Sequence, residues 1–369
     1  YADATMGKKY GFYVGWFMAI IYYPTLTSVL AWVTARYACV LLGFSITGGE
    51  CMTLACVFLI LSYAINTLSP VLAGKLQVSI TIIKLIPLLL MAVFGTIVGI
   101  SSGMTAYNFT TVVSEVSTSK ALFTAVVATA FAYEGWIIAT CINAELKDAK
   151  RNLPIALVSG TFIIMIVYVL YYIGLAGTVE NQVMMAGGET GAKLAFETVF
   201  TSVGGTLLYV FVIISCFGTL NGLMLGCTRG LYAISARDVG PKPTLFKQVD
   251  KETNMPTNAS IFALLLCSFW LLYFYGANLT SGWFGFFNFD SSELPIVTIY
   301  GLYIPIFFMM MIKEKELNTF KRFIMPTIAL IGCVFMMIAA FVSHGQAVYA
   351  YLIVFAIVMV IGGFYSRKI

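Results

Sequence analysis

Charge is scarce in this 369-residue sequence: Asp, Glu, Lys and Arg together make up 10% of it, where a soluble domain carries about 25%. So little charge excludes a water-soluble globule of this length. Histidine is scarcer still, with His344 alone, in a short loop. Eight cysteines are present, but they form no C-x-x-C pair and no spacing that suits a metal. No metal site, cofactor or disulfide framework is expected, and most of the cysteines read as small buried hydrophobes. A membrane-embedded enzyme would need grouped His, Asp or Cys at membrane depth, and one loop histidine argues against it. The net charge of +5 is spread over short loops, so no nucleic-acid partner is expected.

What fills the sequence is apolar: 60% of its residues are hydrophobic, which makes it an integral membrane protein in contact with the lipid bilayer. At about 20 apolar residues per crossing, hydropathy predicts ten spans, over 11–42, 51–69, 76–100, 121–142, 154–177, 206–233, 257–277, 294–312, 323–343 and 347–365. The first is unusually long, which predicts a tilted helix. All of the 21 Lys and Arg except Arg36, Lys84, Lys120 and Lys193 fall on the side that carries both termini. Basic residues concentrate on the cytoplasmic side, so a multi-pass protein of the cell membrane with both termini cytoplasmic is predicted.

The connecting segments add little chemistry. Sequons at Asn108-Phe-Thr110 and Asn278-Leu-Thr280 carry no weight, because chance matches are common. The outer segment 178–205 holds Gly191–Phe200, a candidate short interfacial helix, and the inner segment 235–256 shows no separate soluble domain. The sequence starts Tyr1-Ala-Asp-Ala-Thr-Met6, without an initiator methionine or a signal peptide. A segment upstream of Tyr1 is expected.

Two intramembrane features point to function. Lys84 lies in the middle of Val78–Phe94, an otherwise apolar crossing, where an ammonium costs at least ~2.5–3.5 kcal/mol. Such a residue persists where it faces a polar cavity and its charge is used. The second feature is Ala130-Phe-Ala-Tyr-Glu-Gly-Trp136 in the fourth span, where glycine costs about 1 kcal/mol against alanine. A broken helix here would free carbonyls and amides to hold a charged solute. A continuous helix that tolerates Gly135, with Glu134 on a polar face, explains the residues equally well.

The run Phe131-Ala-Tyr-Glu-Gly-Trp136, followed by Asn143–Pro154, resembles the sixth helix and following inner loop of permeases of the amino acid–polyamine–organocation superfamily. Glu145 and Pro154 stand at matching positions, while Ala149 departs from the usual loop proline. Ser215-Cys-Phe-Gly-Thr-Leu-Asn-Gly222, then Thr228–Arg237 and Pro241, resembles the eighth helix, especially of the L-type amino acid transporter branch. Gly11-Phe-Tyr-Val-Gly-Trp16 resembles the entry to the third helix, and Lys84 matches a fifth-helix lysine of several members.

The resemblance implies an all-α polytopic membrane protein with the leucine-transporter-type inverted-repeat fold. The ten spans then correspond to family helices three to twelve in a single transmembrane domain, 1–369. Residues 1–120 would be the remainder of the first repeat, 121–312 the second repeat, and 313–369 two peripheral helices. The first two family helices, one of which binds the substrate carboxylate, have no counterpart here, and such a chain is not expected to transport by itself.

The implied function is secondary active transport of amino acids, as a permease, symporter or antiporter. The substrate ammonium would meet carbonyls around Phe131, Ala132 and Glu134, with Tyr133, Gly135 and Trp136 completing the break. Trp136 is equally readable as a gate or as packing. Lys84 would stand in place of a second sodium, with Ser215 as its partner, leaving transport sodium-independent, and it could exchange a proton during the cycle. A purely structural Lys84 is the competing reading. Tyr168 matches a tyrosine of related transporters, and Tyr172 stands where many have Asn. Asn221 would contact the site or simply join helices, and Glu134 would tune substrate charge toward cationic amino acids or face the outer vestibule. A polyamine or organic-cation carrier is the alternative. A channel is disfavoured, since no repeated filter loop or charged ring is present. Cys51, near the place where some relatives pair with an accessory subunit, reads as a packed residue, so no obligatory subunit is expected.

Overall fold

A computed structural model of the protein describes residues 1–113, 118–141, 143, 146–280 and 282–366. Among these the regular elements are all helices, as expected. They run α1 (Ala2–Met6), α2 (Lys8–Leu42), α3 (Gly49–Leu68), α4 (Leu72–Ser102), α5 (Met104–Thr110), α6 (Thr118–Ala132) and α7 (Ile138–Cys141). Next come α8 (Ala149–Ala176), α9 (Asn181–Gly187) and α10 (Glu189–Ser235). The order ends with α11 (Pro243–Phe246), α12 (Thr257–Leu279), α13 (Leu294–Lys313), α14 (Phe320–His344) and α15 (Ala347–Tyr365).

Among the described residues, nine helices are long and apolar enough to cross a membrane. They match every expected span except the fourth. There the expected 121–142 is divided: α6 stops at Ala132 and α7 resumes at Ile138. The fifth span starts earlier than expected, at Ala149, so Pro154 lies inside α8 rather than ahead of it. A proline removes a helical N–H, and the carbonyl it leaves unpaired, that of exposed Lys150, can be satisfied by water. The expected short helix at 191–200 is present as the leading part of α10, set off by Thr201 at φ 65°. Glu145, Arg367 and Lys368 lie outside the described residues.

The long first span forms the centre of the bundle. Within its most apolar 18-residue stretch α2 is 67% buried, against 6% for the same length of α8, because α2 packs on α3, α10 and α12. It carries a π-helical turn at Met18–Tyr22, directly ahead of Pro24. Without an N–H, Pro24 leaves the carbonyl of Ile20 free, and the indole N–H of Trp270 donates to it at 3.1 Å. The widened turn thus has an identifiable cause, and it aims Tyr22 into the core.

Helix α4 shows the same pattern. Ser69 caps it, accepting from the Leu72 N–H, Pro87 lies inside it, and a π turn follows at Met91–Gly95. That turn meets α8 backbone to backbone. A Cβ on Gly174 would lie 2.1 Å from the Met91 carbonyl oxygen, and one on Gly99 would lie 2.3 Å from the Gly177 Cα. Glycine is required at these crossings because no side chain fits.

Asn108, the first sequon asparagine, clamps the Ala176 end of this pair. It is buried, its amide donates to the carbonyls of Ala176 and Val179, and its Oδ1 accepts from Asn181 N–H. Cys51 is fully buried against Cys39, as its packed reading requires. Cys56, by contrast, is exposed.

Candidate functional site

The interruption of the fourth span sits at Tyr133–Ile137, where Gly135 adopts φ 110°. Side chains rarely adopt that backbone region, whereas glycine enters it freely. Space is not the reason for glycine here, since a Cβ at this position would meet nothing within 4 Å. Beyond Ala132 the helical ladder stops. Among the described residues, no backbone N–H reaches the carbonyls of Ala132, Tyr133 or Glu134. These carbonyls lie at the negative end of the α6 dipole, an arrangement suited to a cation.

Beside the break lies a cavity of 650 Å³, within the size range of small-molecule sites. Its walls come from α4, α6, α8 and α10 and bring together Lys84, Ala132, Tyr133, Tyr168 and Ser215. The rings of Tyr133 and Tyr168 meet at 5.2 Å. Tyr171 and Tyr172 also line the cavity, as do Thr129 and Thr219. Side chains with hydroxyls thus share the wall with its one cationic group, among apolar residues that form the rest of it. Lys84 is half-buried, and neither Ser215 nor any other described residue accepts from its ammonium.

The other expected site residues lie elsewhere. Phe131 packs against the main core. Glu134 does not line the cavity: its Oε1 accepts a hydrogen bond from the Tyr22 hydroxyl. Its other oxygen, Oε2, is shut off from solvent and has no partner among the described residues. Trp136 is 38% exposed and packs toward Tyr303 at 5.9 Å. Asn221 is buried between α10 and α3, where its Oδ1 accepts from the Asn66 amide, so in this conformation it joins helices away from the cavity.

Sequence reasoning missed three aromatic residues around the break. Tyr22 is fully buried beneath Glu134, and Tyr300 and Tyr303 of α13 stand close enough to that carboxyl to interact with it electrostatically. A signal existed in the polar-ended pairs Tyr22-Tyr23 and Tyr300/Tyr303 inside apolar spans. Nothing in either pair, however, pointed across the bundle to Glu134.

Residues 1–364 match the amino acid permease family. The chain is 28% identical over 344 residues to the serine/threonine exchanger SteT of Bacillus subtilis, covering 91% of this chain and 74% of that protein. It is also similar to the aspartate-proton symporter of Bacillus subtilis, at 24% identity over 292 residues, 72% of this chain and 53% of the symporter. The human cystine/glutamate transporter is 24% identical over 193 residues, which is 52% of this chain and 38% of the transporter. The chain is a multi-pass membrane protein of the amino acid permease family.

Proposed function

We propose that this protein is a secondary active transporter that moves amino acids across the cell membrane by alternating access. It works without sodium, with Lys84 standing where a coupling ion would otherwise bind. The observation that carries the reading is the adjacency of two features: a helix break at Gly135 with free carbonyls, and a largely apolar cavity with hydroxyls and an unpartnered lysine on its wall. The break suits the substrate's ammonium, while the lysine suits a carboxylate or balances charge as the cavity opens and closes. The named activities of the relatives, serine/threonine exchange and aspartate-proton symport, favour a small amino acid as cargo.

Division of the chain into 1–120, 121–312 and 313–369 places the break in the second repeat and α14 and α15 at the periphery. Both termini lie in the cytoplasm, on the side where Lys and Arg concentrate. No accessory subunit is needed, since Cys51 is buried in the packing of α3 against α2.

Counterflow in proteoliposomes tests the reading. With the full-length protein and unlabelled serine inside, labelled serine is expected to accumulate transiently and saturably. Flux that neither saturates nor responds to internal substrate would replace the carrier with a channel.

A further inference from the structure

The last three spans leave a gap between them. Helices α13 and α14 lie along each other, while α15 is held by α2. There the Trp16 indole N–H donates to the Val358 carbonyl at 2.9 Å, and the rings of Phe17 and Phe355 meet at 5.6 Å. Helix α15 reaches α13 through the hydroxyls of Thr298 and Tyr351, which are 2.7 Å apart. Between the α13–α14 pair and α15 remains a cavity of 250 Å³, walled by Val297, Gly301, Met337, Phe341, Val348 and Leu352. It lies toward the Leu294 end of α13, opposite Lys313, whose ammonium donates to the Thr5 carbonyl.

Water has little to bind here. A buried water needs two to four polar partners, and among the described wall residues only Thr298 and Tyr351 carry hydroxyls, which already meet each other. An empty void forfeits the dispersion contacts of its lining. The cavity is also open sideways. Phe341 and Leu352 line it and are 40% and 38% exposed, on spans whose other exposed residues, such as Ile331 and Ile353, face hydrocarbon. An apolar cavity of about 150 Å³ holds a benzene ring, so this one admits several methylenes. A helix of a second chain, about 10–12 Å across with its side chains, does not fit. We propose that the cavity binds one acyl chain of a membrane phospholipid, inserted between the α13–α14 pair and α15 rather than lying against their lipid-facing surface. Gly301 makes the room, since a Cβ there meets only the end of Met337, at 3.6 Å. Just past the Leu294 end, Glu293 and His344 pair at 2.8 Å. The lipid's polar headgroup sits at that level while its chain runs down the cavity. The chain fills the gap beside α15, so lipid helps to hold this helix to the rest of the bundle.

A phospholipid with a photoactivatable diazirine partway along one acyl chain tests the site. The full-length protein is reconstituted in liposomes containing it and illuminated, and the adducts are mapped by peptide mass spectrometry. Val297 and Val348 line the cavity and are buried, so lipid lying on the surface does not reach them. Adducts are expected on both, alongside those on exposed Ile331 and Ile353. Gly301→Leu puts a side chain into the cavity, and a filled interior excludes further atoms. It is expected to cut labelling of Val297 and Val348 about fivefold or more relative to Ile331 and Ile353. Labelling confined to the exposed pair in the unaltered protein overturns the proposal, as does labelling of the lining that Gly301→Leu leaves unchanged. Absence of adducts from Phe341 and Leu352 as well would mean that a second copy of the chain covers the mouth, which also overturns it. The pattern in the unaltered protein decides the matter by itself if Gly301→Leu fails to fold.

Discussion

Asn66 and Asn221 meet side chain to side chain, Nδ2 to Oδ1, at 2.8 Å between α3 and α10, and the same amide reaches the Asn221 carbonyl at 3.1 Å. Hydrogen bonds between membrane helices average about 0.6 kcal/mol and reach ~1.7 kcal/mol. Asn221→Ala should therefore lower unfolding stability in detergent by about 0.5–1.5 kcal/mol. A drop in substrate affinity beyond that expected from the stability loss would return Asn221 to the site.

Lys84 makes no bond that the fold depends on, and its ammonium disfavours burial by ~2.5–3.5 kcal/mol or more. Lys84→Ala is accordingly expected to leave the protein folded, or to stabilise it, while exchange falls at least tenfold. Counterflow with and without sodium, on both sides of neutral pH, reads the outcome. Undiminished exchange in the variant removes the coupling role. A sodium requirement in the unaltered protein would overturn the idea that lysine replaces the ion.

Gly135 tests the break itself. At φ 110° a β-branched residue is strained by about 1–3 kcal/mol, although a Cβ there meets open space. Gly135→Val should raise the KM for serine roughly tenfold, through a shifted break rather than a clash. A normal KM would mean that the carbonyls at 132–134 do not hold substrate.

Gly174 and Gly160 share α8 but differ in surroundings. A Cβ at Gly174 runs into the Met91 carbonyl, whereas one at Gly160 meets nothing within 4 Å. Overpacking costs about 1–3 kcal/mol, so Gly174→Ala should destabilise by that amount. Gly160→Ala should be neutral or stabilising by up to about 1 kcal/mol. Thermal unfolding of the two variants side by side decides it.

The helices were legible because lipid-facing and core-facing positions are both apolar, so composition alone marks each crossing. The break was legible as an alternative, since Gly135 breaks a local rule within the fourth span. Lys84, Tyr133, Tyr168 and Ser215 were each found separately, from an out-of-place charge or a motif, and the fold brings them to one cavity. The orientation of Glu134 was not legible. It depends on Tyr22, 112 residues away in sequence, and Tyr22 is aimed by a widened turn upstream of Pro24. Joining helices was one of the two roles open to Asn221, but its partner was hidden, because Asn66 had no distinguishing pattern of its own.

The contact between α4 and α8 has a mechanical consequence. Where two backbones touch without intervening side chains, neither helix can slide or roll without lifting away from the other. The π turn at Met91–Gly95 seats Gly174 like a pin in a socket, so the two helices behave as one lever arm. Lys84 lies on one of these helices and Tyr168 on the other, and both line the same cavity. Under the proposed alternating access, the stroke that admits cargo would be a swing of this arm against the unwound segment at Gly135. A short cross-link between the outer ends of α4 and α8 should accordingly leave transport running, whereas one from α4 to α6 should lock it.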